Sequence, residues 1–372
     1  MIPYVMDDTK SLTDLVTDTS NGLGRLAECM KLEVTEGLDG QYTATMVIPT
    51  AAYNSGLVHK GGIIKAKANN KDEPQLFRVI NFRETMSSGL IECGLEHISY
   101  DLNKAILCPT DGLIPFYNLD QICDMLNNNN SNTDFFPAGV FTFITDSPET
   151  LYNHGWNKPM TPRQLFYAED GICNWSGVQI KWDNLTVGIN SRRGSDKPLY
   201  ISYGKNLMDF AQEEDISEVY DGIIGYCYNQ NWSGGRSVTS DPIPLVAGAT
   251  PQHLLLVDLS DKTSSSANPP EKWAVTNWAR TWLSENTIDT IKVAYDVDLV
   301  SLAQDGEYDK VKELEFIELG DTVTVKAKSG DIEAVVTEVT FDSLTERYTD
   351  IKLGNYLPSL TDTIIELVNK TK

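Results

Sequence analysis

The chain has 372 residues, with 53 acidic against 30 basic side chains, a formal net charge of −23, and a composition 41% hydrophobic and 22% charged. That apolar content excludes wholesale disorder. The acidic excess disfavours gripping nucleic acid or docking on anionic membranes, both of which rely on clustered Lys and Arg.

A length of this size argues for two or three domains, since single cores rarely grow past roughly 250–300 residues. No stretch approaches the ~20 apolar residues of a membrane span. The start, Met1-Ile2-Pro3-Tyr4 and then Asp7 and Asp8, lacks the basic and apolar regions of a secretory signal, so no export tag is expected. Six cysteines, Cys29, Cys93, Cys108, Cys123, Cys173 and Cys227, are far apart and form no C-x-x-C pair. They read as scattered free thiols rather than as a zinc ribbon or disulfide scaffold.

The first hundred residues carry a β pattern. Leu32 to Thr35, the turn Gly37-Leu38-Asp39-Gly40 and the alternation of Tyr42, Ala44, Met46 and Ile48 predict a hairpin. Gly61-Gly62 then leads into alternating Ile64, Ala66 and Ala68, and strands are predicted from Leu76 to Arg83 and from Leu90 to Glu96. Further on, Asn118 to Asn127 suits a short helix that runs into a polar Asn stretch, read as a solvated loop. A second helix should open at Thr161-Pro162 and end near Gly171. Asp183-Asn184 marks a hairpin turn between Val178–Trp182 and Leu185–Ile189.

Residues 260–270 have linker composition, and Val275, Trp278, Ala279, Trp282 and Leu283 then recur at helical spacing. Two Trp residues four apart fit either a packed helix face or a sugar platform. Strand alternation returns at Ile291–Leu299, Thr322–Lys328 and Val335–Phe341. Ile364, Ile365, Leu367 and Val368 form a narrow apolar helical stripe that has to bury against something, a copy of itself included.

Two stretches echo each other. Gly61 to Ala68 aligns with Gly320 to Lys328, and each is followed by two further strands at matching spacing. Identity is low, so the echo fits a duplication or the general likeness of any two β meanders.

Catalytic machinery is hard to find. His59, His97, His154 and His253 show no paired metal spacing, and neither a nucleophile elbow nor a phosphate-cradling Gly loop is present. Glu213-Glu214-Asp215 is the densest carboxylate cluster, readable as a catalytic pair or as the acidic start of a short helix. Arg192-Arg193-Gly194, with Lys181 nearby, could hold a partner's acidic loop or simply end a solvated hairpin. No catalytic, cofactor or metal residue is assigned.

Several motifs in order carry a family resemblance. These are Asn21-Gly22-Leu23-Gly24, Glu36 to Tyr42, Trp182-Asp183-Asn184-Leu185-Thr186-Val187, Arg192-Arg193-Gly194, Ile201 to Leu207, Glu213 to Ile216 and Leu319 to Val323. From about residue 20 to 360 the chain resembles the minor structural tail proteins of phages and prophages of Gram-positive bacteria. These form the prophage endopeptidase tail, or tail-associated lysin N-terminal, family, whose members resemble the central hub of contractile-tail baseplates.

That resemblance implies a β-rich α+β multidomain fold, with two related β-barrels, inserted α+β domains and a C-terminal helix. The first barrel, which docks on the tube, would take 1–104 and an inserted α+β domain 105–198. The second barrel would be assembled from 199–232 and 288–360, with a helix-bearing insertion at 233–287 and the terminal helix at 361–372. A non-enzymatic homotrimer is implied, closing the tail tube, touching the distal tail protein ring and the tape-measure protein, and passing DNA without holding it. Its place is the virion tail tip, after synthesis in the host cytoplasm. Inter-chain contacts are expected from the barrel rims and from Ile364, Ile365, Leu367 and Val368, with Arg192 and Arg193 as further interface candidates. Longer members continue into a peptidoglycan-cutting or fibre region, and because this chain stops at Lys372 a lysin activity is not expected. Two rival readings are a peptidoglycan hydrolase using Glu213 or Asp215, and a carbohydrate-binding module using Trp273, Trp278 or Trp282.

Overall fold

Sheet pairing, more than helix packing, organises this chain. The computed structural model describes residues 1–107, 114–115, 118–128, 140–148, 155–156, 158–168, 171–202, 207–215, 219–230, 232, 237–263, 268–289, 292–299, 317–327 and 330–354. The chain divides into two compact units, Met1–Gln212 with Tyr295–Tyr356 and Glu213–Ala294 with Leu357–Lys372.

The first unit opens with β1 (Tyr4–Met6), α1 (Leu12–Thr17), β2 (Gly24–Arg25), β3 (Lys31–Gly37), β4 (Tyr42–Pro49), β5 (Ile63–Ala66), β6 (Gln75–Thr85) and β7 (Leu90–His97). Alternation along β3, β4 and β7 buries Leu32, Val34, Tyr42, Ala44, Met46, Ile48, Ile91, Cys93 and Leu95 on one face. The helix α1 was not foreseen. Its Ser11 cap accepts from the Asp14 N–H, and Leu15 packs with Ile63, Leu76 and Ile98.

Next come β8 (Ile114–Pro115), α2 (Leu119–Asn128), β9 (Thr142–Thr145), β10 (Gly155–Trp156), α3 (Pro162–Tyr167), α4 (Ile172–Ser176), β11 (Gln179–Asp183) and β12 (Thr186–Asn190). The strands β11 and β12 form the expected hairpin, β9 adds parallel to β12, and Leu119, Ile122, Leu126, Phe166 and Trp182 join the β3–β7 core. Two helices replace the one expected to end near Gly171. The first has a complete Thr161–Gln164 capping box and stops at Tyr167, and the second starts after Gly171. Asn127, read as part of a solvated Asn run, instead closes both backbone groups of Phe143, each at 2.8 Å.

After β13 (Asp196–Ser202) and β14 (Leu207–Asp215) the chain builds β15 (Gly222–Tyr228), β16 (Ser237–Thr239), β17 (Ile243–Pro244), β18 (Leu254–Asp258) and α5 (Lys272–Glu285). Here β15 pairs with all three other strands of a small sheet. Val275 and Ala279 of α5 are buried with Ile223, Cys227 and Val257. A Cβ at Gly225 would come within 2.7 Å of the Ala279 Cβ, so the close helix approach requires glycine.

The chain returns through β19 (Lys292–Leu299), β20 (Thr322–Ala327), β21 (Gly330–Asp342) and β22 (Arg347–Gly354). One thirteen-stranded sheet contains the run β3-β4-β7-β6-β5-β1 and the run β14-β19-β22-β21-β20-β13, joined where β21 pairs with β3. Each run has the same order of early and late strands. The turns feeding β5 and β20 also match bond for bond. Gly61 N–H donates to Val79 O at 2.8 Å, Val79 N–H to Gly62 O at 2.9 Å and Gly62 N–H to His59 O at 3.1 Å. Gly320, Val336, Asp321 and Glu318 repeat these bonds at 2.8, 2.9 and 3.0 Å. Both glycines have positive φ, +82° and +86°. Both long strands then slip register just past the valine. The ends of the runs differ, since β1 joins β5 antiparallel and β13 joins β20 parallel.

The two turn glycines make a paired test. A Cβ at Gly61 meets nothing within 4 Å, whereas at Gly320 it would lie 2.9 Å from both Gly194 N and Gln179 Oε1. Gly61→Ala should cost the left-handed strain of about 1–2 kcal/mol, and Gly320→Ala distinctly more, as read by urea unfolding of both variants.

Candidate functional site

Four polar ties meet in the first unit, and they are its most chemically distinctive feature. The alternation that buries Leu32 and Val34 also turns Glu36 inward, where a lone carboxylate is costly. Arg193 answers it. Its Nη1 lies 2.8 Å from Glu36 Oε1, and both side chains are 8% exposed. Burial works against the Arg193 cation, but Glu36 more than offsets this and raises its pKa. The contact is an ion pair whose N–H is not aimed at the oxygen, since Glu36 Oε1 has no aligned hydrogen bond. Beside it, a cavity of about 30 Å³ is bordered by Asp72, Lys181, Glu318 and Tyr348. Burial opposes charge on Asp72, but the 2.8 Å bond from Lys181 prevails and holds its pKa below the usual carboxylate value.

The turn around Gly194 supplies the second tie. A Cβ there would stand 2.0 Å from the Gly320 carbonyl carbon, so this backbone lies directly on the β20 turn. Asp321, fully buried, accepts from Ser195 N–H at 2.7 Å and from Glu318 N–H at 2.9 Å. Arg192 reaches Thr322 Oγ1 at 2.5 Å and pairs with Asp196 at 2.8 Å.

The β11–β12 hairpin is tied to β6 through amides. Asn184, with φ of 49°, accepts from Leu76 N–H at 2.9 Å and donates its own N–H to Gln75 Oε1 at 2.6 Å. His97 Nε2 meets the same oxygen at 3.1 Å, while its Nδ1 accepts from Ser99 N–H at 3.2 Å. The ring is therefore neutral with its proton on Nε2, stacked 4.3 Å from Tyr42. Burial first, and then the Arg163 charge, push its pKa down to about 3. Arg163 is the fourth tie. It donates to Gly40 O and to Ser99 Oγ, and its guanidinium lies 4.0 Å from the Tyr100 ring and 5.0 Å from that of Trp182.

These groups hold parts together, and none is arranged for bond-making chemistry. His97 is sealed from solvent, and among the described residues Cys93, Cys123 and Cys227 are buried and Cys29 and Cys173 half-buried. Burial raises Cys29, Cys93 and Cys227 to about 11 and Cys123 and Cys173 to about 12, so thiolate is scarce at neutral pH. Among the described residues no group of three His, Cys, Asp or Glu side chains could hold a metal ion. A cleft of about 440 Å³ lies between the end of α1 and the β11–β12 hairpin. The Lys65 ammonium beside it is engaged by the carbonyls of Leu15, Val16 and Asp18.

The sequence-derived candidates fall as follows. Arg193 is buried on Glu36, and Arg192 is bound to this chain's own groups. Ile364, Ile365, Leu367 and Val368 lie outside the described residues. Glu213 to Asp215 close strand β14 instead of opening a helix, because sheet pairing overrides the weak helix-start signal of an acidic triplet. Trp278 and Trp282 pack against the core of the second unit, which leaves Trp273, 68% exposed, without a neighbouring Trp platform. Glu36, Asp321, His97 and Arg163 were missed. The available signal was phase, since Glu36 and His97 fall in step with buried apolar residues of their strands.

No protein-family profile matches the chain, and no curated protein matches it in sequence. Its fold does match. The chain is similar to prophage tail protein gp18 from Listeria monocytogenes, at 16% identity and a TM-score of 0.56, with 99% of each chain covered. It is also similar to the 43 kDa tail protein of prophage MuSo2 from Shewanella oneidensis, at 12% identity and a TM-score of 0.56, over 89% of this chain and 95% of that one. A tail protein from Neisseria meningitidis matches at 11% identity and a TM-score of 0.56, over 97% and 98%. At such identities the likeness is one of fold. The chain has the β-rich architecture of prophage tail proteins across nearly its whole length.

Two outcomes follow from the ties. Unfolded His97 takes up a proton near pH 6.5, but the folded ring does so only near pH 3. Folding stability should therefore fall as pH drops below 6.5, by up to about 1.4 kcal/mol per pH unit from this group. His97→Gln should flatten that slope in urea melts between about pH 6.5 and 5. Glu36→Gln leaves the Arg193 cation buried without a countercharge and should cost roughly 3–5 kcal/mol. A loss below 1 kcal/mol would show that the pair is dispensable.

Proposed function

We propose that this chain is a structural protein of a phage or prophage tail tip, the baseplate hub that closes the tail tube as a homotrimer. The observation that carries the reading is the repeated strand order with its matched Gly61 and Gly320 turns, within a fold similar to tail proteins over nearly the full length. Two related barrels in each of three chains would present six near-equivalent units to a six-fold ring. The neighbours in this reading are the distal tail protein ring and the tape-measure protein, and the location is the virion.

Charge fits the same role. The solvent face of the joined sheet sets Glu33, Thr35, Thr43, Thr45, Glu92, Glu96, Glu338, Thr340 and Asp342 side by side across four strands. Glu33, Glu92 and Glu338 are paired with Lys31, Arg83 and Lys352, while Glu96 and Asp342 keep the face from being basic, and in this reading it lines the passage through which DNA slides without being held. The buried ties add the rigidity a pressure-bearing closure needs.

Sedimentation over a range of concentrations tests the assembly. The expected species is three-fold the chain mass, and a two- or four-fold species would contradict the symmetry. Cell-wall zymography tests the non-enzymatic part, where clearing abolished by Glu213→Gln would replace this reading with a hydrolase.

A further inference from the structure

One end of the first unit's sheet puts three large apolar side chains into water. Pairing of Lys31 with Val47, Pro49 with Leu90 and Thr85 with Leu90 places the start of β3, the end of β4 and the β6–β7 turn at this same end. Met30 precedes β3, Tyr53 lies in the loop after β4 and Met86 sits in the β6–β7 turn, and they are 64%, 91% and 97% exposed. Thr50 N–H donates to Gly89 O at 2.9 Å and draws two of these loops together. Across three strand spacings, Met30 and Met86 are about 14 Å apart.

Nothing in the fold calls for these residues. The β6–β7 turn is closed by Gly89 N–H on Thr85 O, and a polar residue would serve at position 86. A single exposed apolar residue is ordinary, but three on one rim mark a recognition surface, where Met and Tyr are enriched. The corresponding turn of the other run, Ser343–Glu346, lies at the same end but is spent within the chain. Its Ser343 O and Glu346 hold the Met1 amine at 2.7 and 2.8 Å, and Glu346 also holds Lys67 at 2.6 Å.

Charge indicates what fits this rim. Lys31 is paired with Glu33 at 2.9 Å, Arg83 with Glu92 at 3.8 Å, and Arg25 is turned onto Asn21 and the Tyr4 ring. Glu28 and Glu84, next to Met30 and Met86, are exposed and have no ion pair among the described residues. The rim is thus apolar at its centre with uncompensated carboxylates at its border. A second copy would bring like charges together, on a chain already at −23. We propose that this rim docks a different protein, through a surface of that partner that is apolar at its centre and bordered by Lys or Arg. The surface is argued from this chain alone, and only the partner's place in a tail rests on the tail-tip reading.

Photocrosslinking in the producing cells tests it, with the full chain carrying benzoylphenylalanine in place of Tyr53. The expected product is one adduct with a second protein, at a peptide containing Lys or Arg beside apolar residues. Its yield should fall about tenfold when Met30→Ser and Met86→Ser are combined. Val246→Ser, at a residue of the second unit as exposed as Met30, should leave the yield unchanged. No adduct, an adduct with another copy of the chain, or a yield insensitive to the Met30 and Met86 changes overturns the proposal. A partner of the stated chemistry that is no tail component upholds the rim and contradicts the tail-tip reading. A chain recovered in tails without adducts does the reverse.

Discussion

A carboxylate turned into the core of a β-sheet has to be neutralised by some other part of the chain. Glu36 sets that requirement, and Arg193 meets it from more than 150 residues away. The partner's position decides much else. To bring Arg193 inside, the turn that follows β12 must lie against the β20 turn, which is why Gly194 and Gly320 touch through backbone atoms. One ion pair thereby fixes three segments at once: the β3–β4 hairpin, the β11–β12 hairpin and the second strand run. A buried pair of this kind contributes little net stability compared with apolar packing, but it penalises wrong arrangements heavily. Its value here is specificity of assembly within the chain.

The other ties follow the same logic. Gln75, His97 and Asn184 form a closed amide and imidazole network in which every buried donor named has an acceptor. Among the described residues Arg163 has no carboxylate ion pair, and it is stabilised by a carbonyl, a hydroxyl and three aromatic faces. Such contacts are short-range and directional. They hold the β11–β12 hairpin to β6 without the slippage that a purely apolar interface would permit.

Much of the β order was legible in sequence. Strict alternation at Tyr42–Ile48 and Ile291–Leu299 marked strands, Thr161-Pro162 marked a helix start, and Asp183-Asn184 marked the hairpin that docks on β6. What was not legible depends on partners remote in sequence. The small sheet of the second unit has strands as short as Ile243–Pro244, too short for periodicity to register. Glu213 to Asp215 looked like a helix start because composition carries no information about sheet pairing. Arg192-Arg193 looked like a surface pair because nothing local reveals that Glu36 needs a cation. The echo between Gly61 and Gly320 is ambiguous as letters, and the backbone adds three matching hydrogen bonds and a shared register slip to it.

If the two strand runs are related barrels and three chains assemble as proposed, the assembly presents six near-equivalent units. Imaging an intact tail tip by electron cryo-microscopy measures this directly. The proposed assembly would show three copies of the chain, with the β3–β7 run and the β20–β22 run alternating around the axis and Glu33, Glu92 and Glu338 facing the channel. Six copies around the axis, or runs that do not alternate, or a channel lined by basic side chains with the acidic face outside, would contradict it.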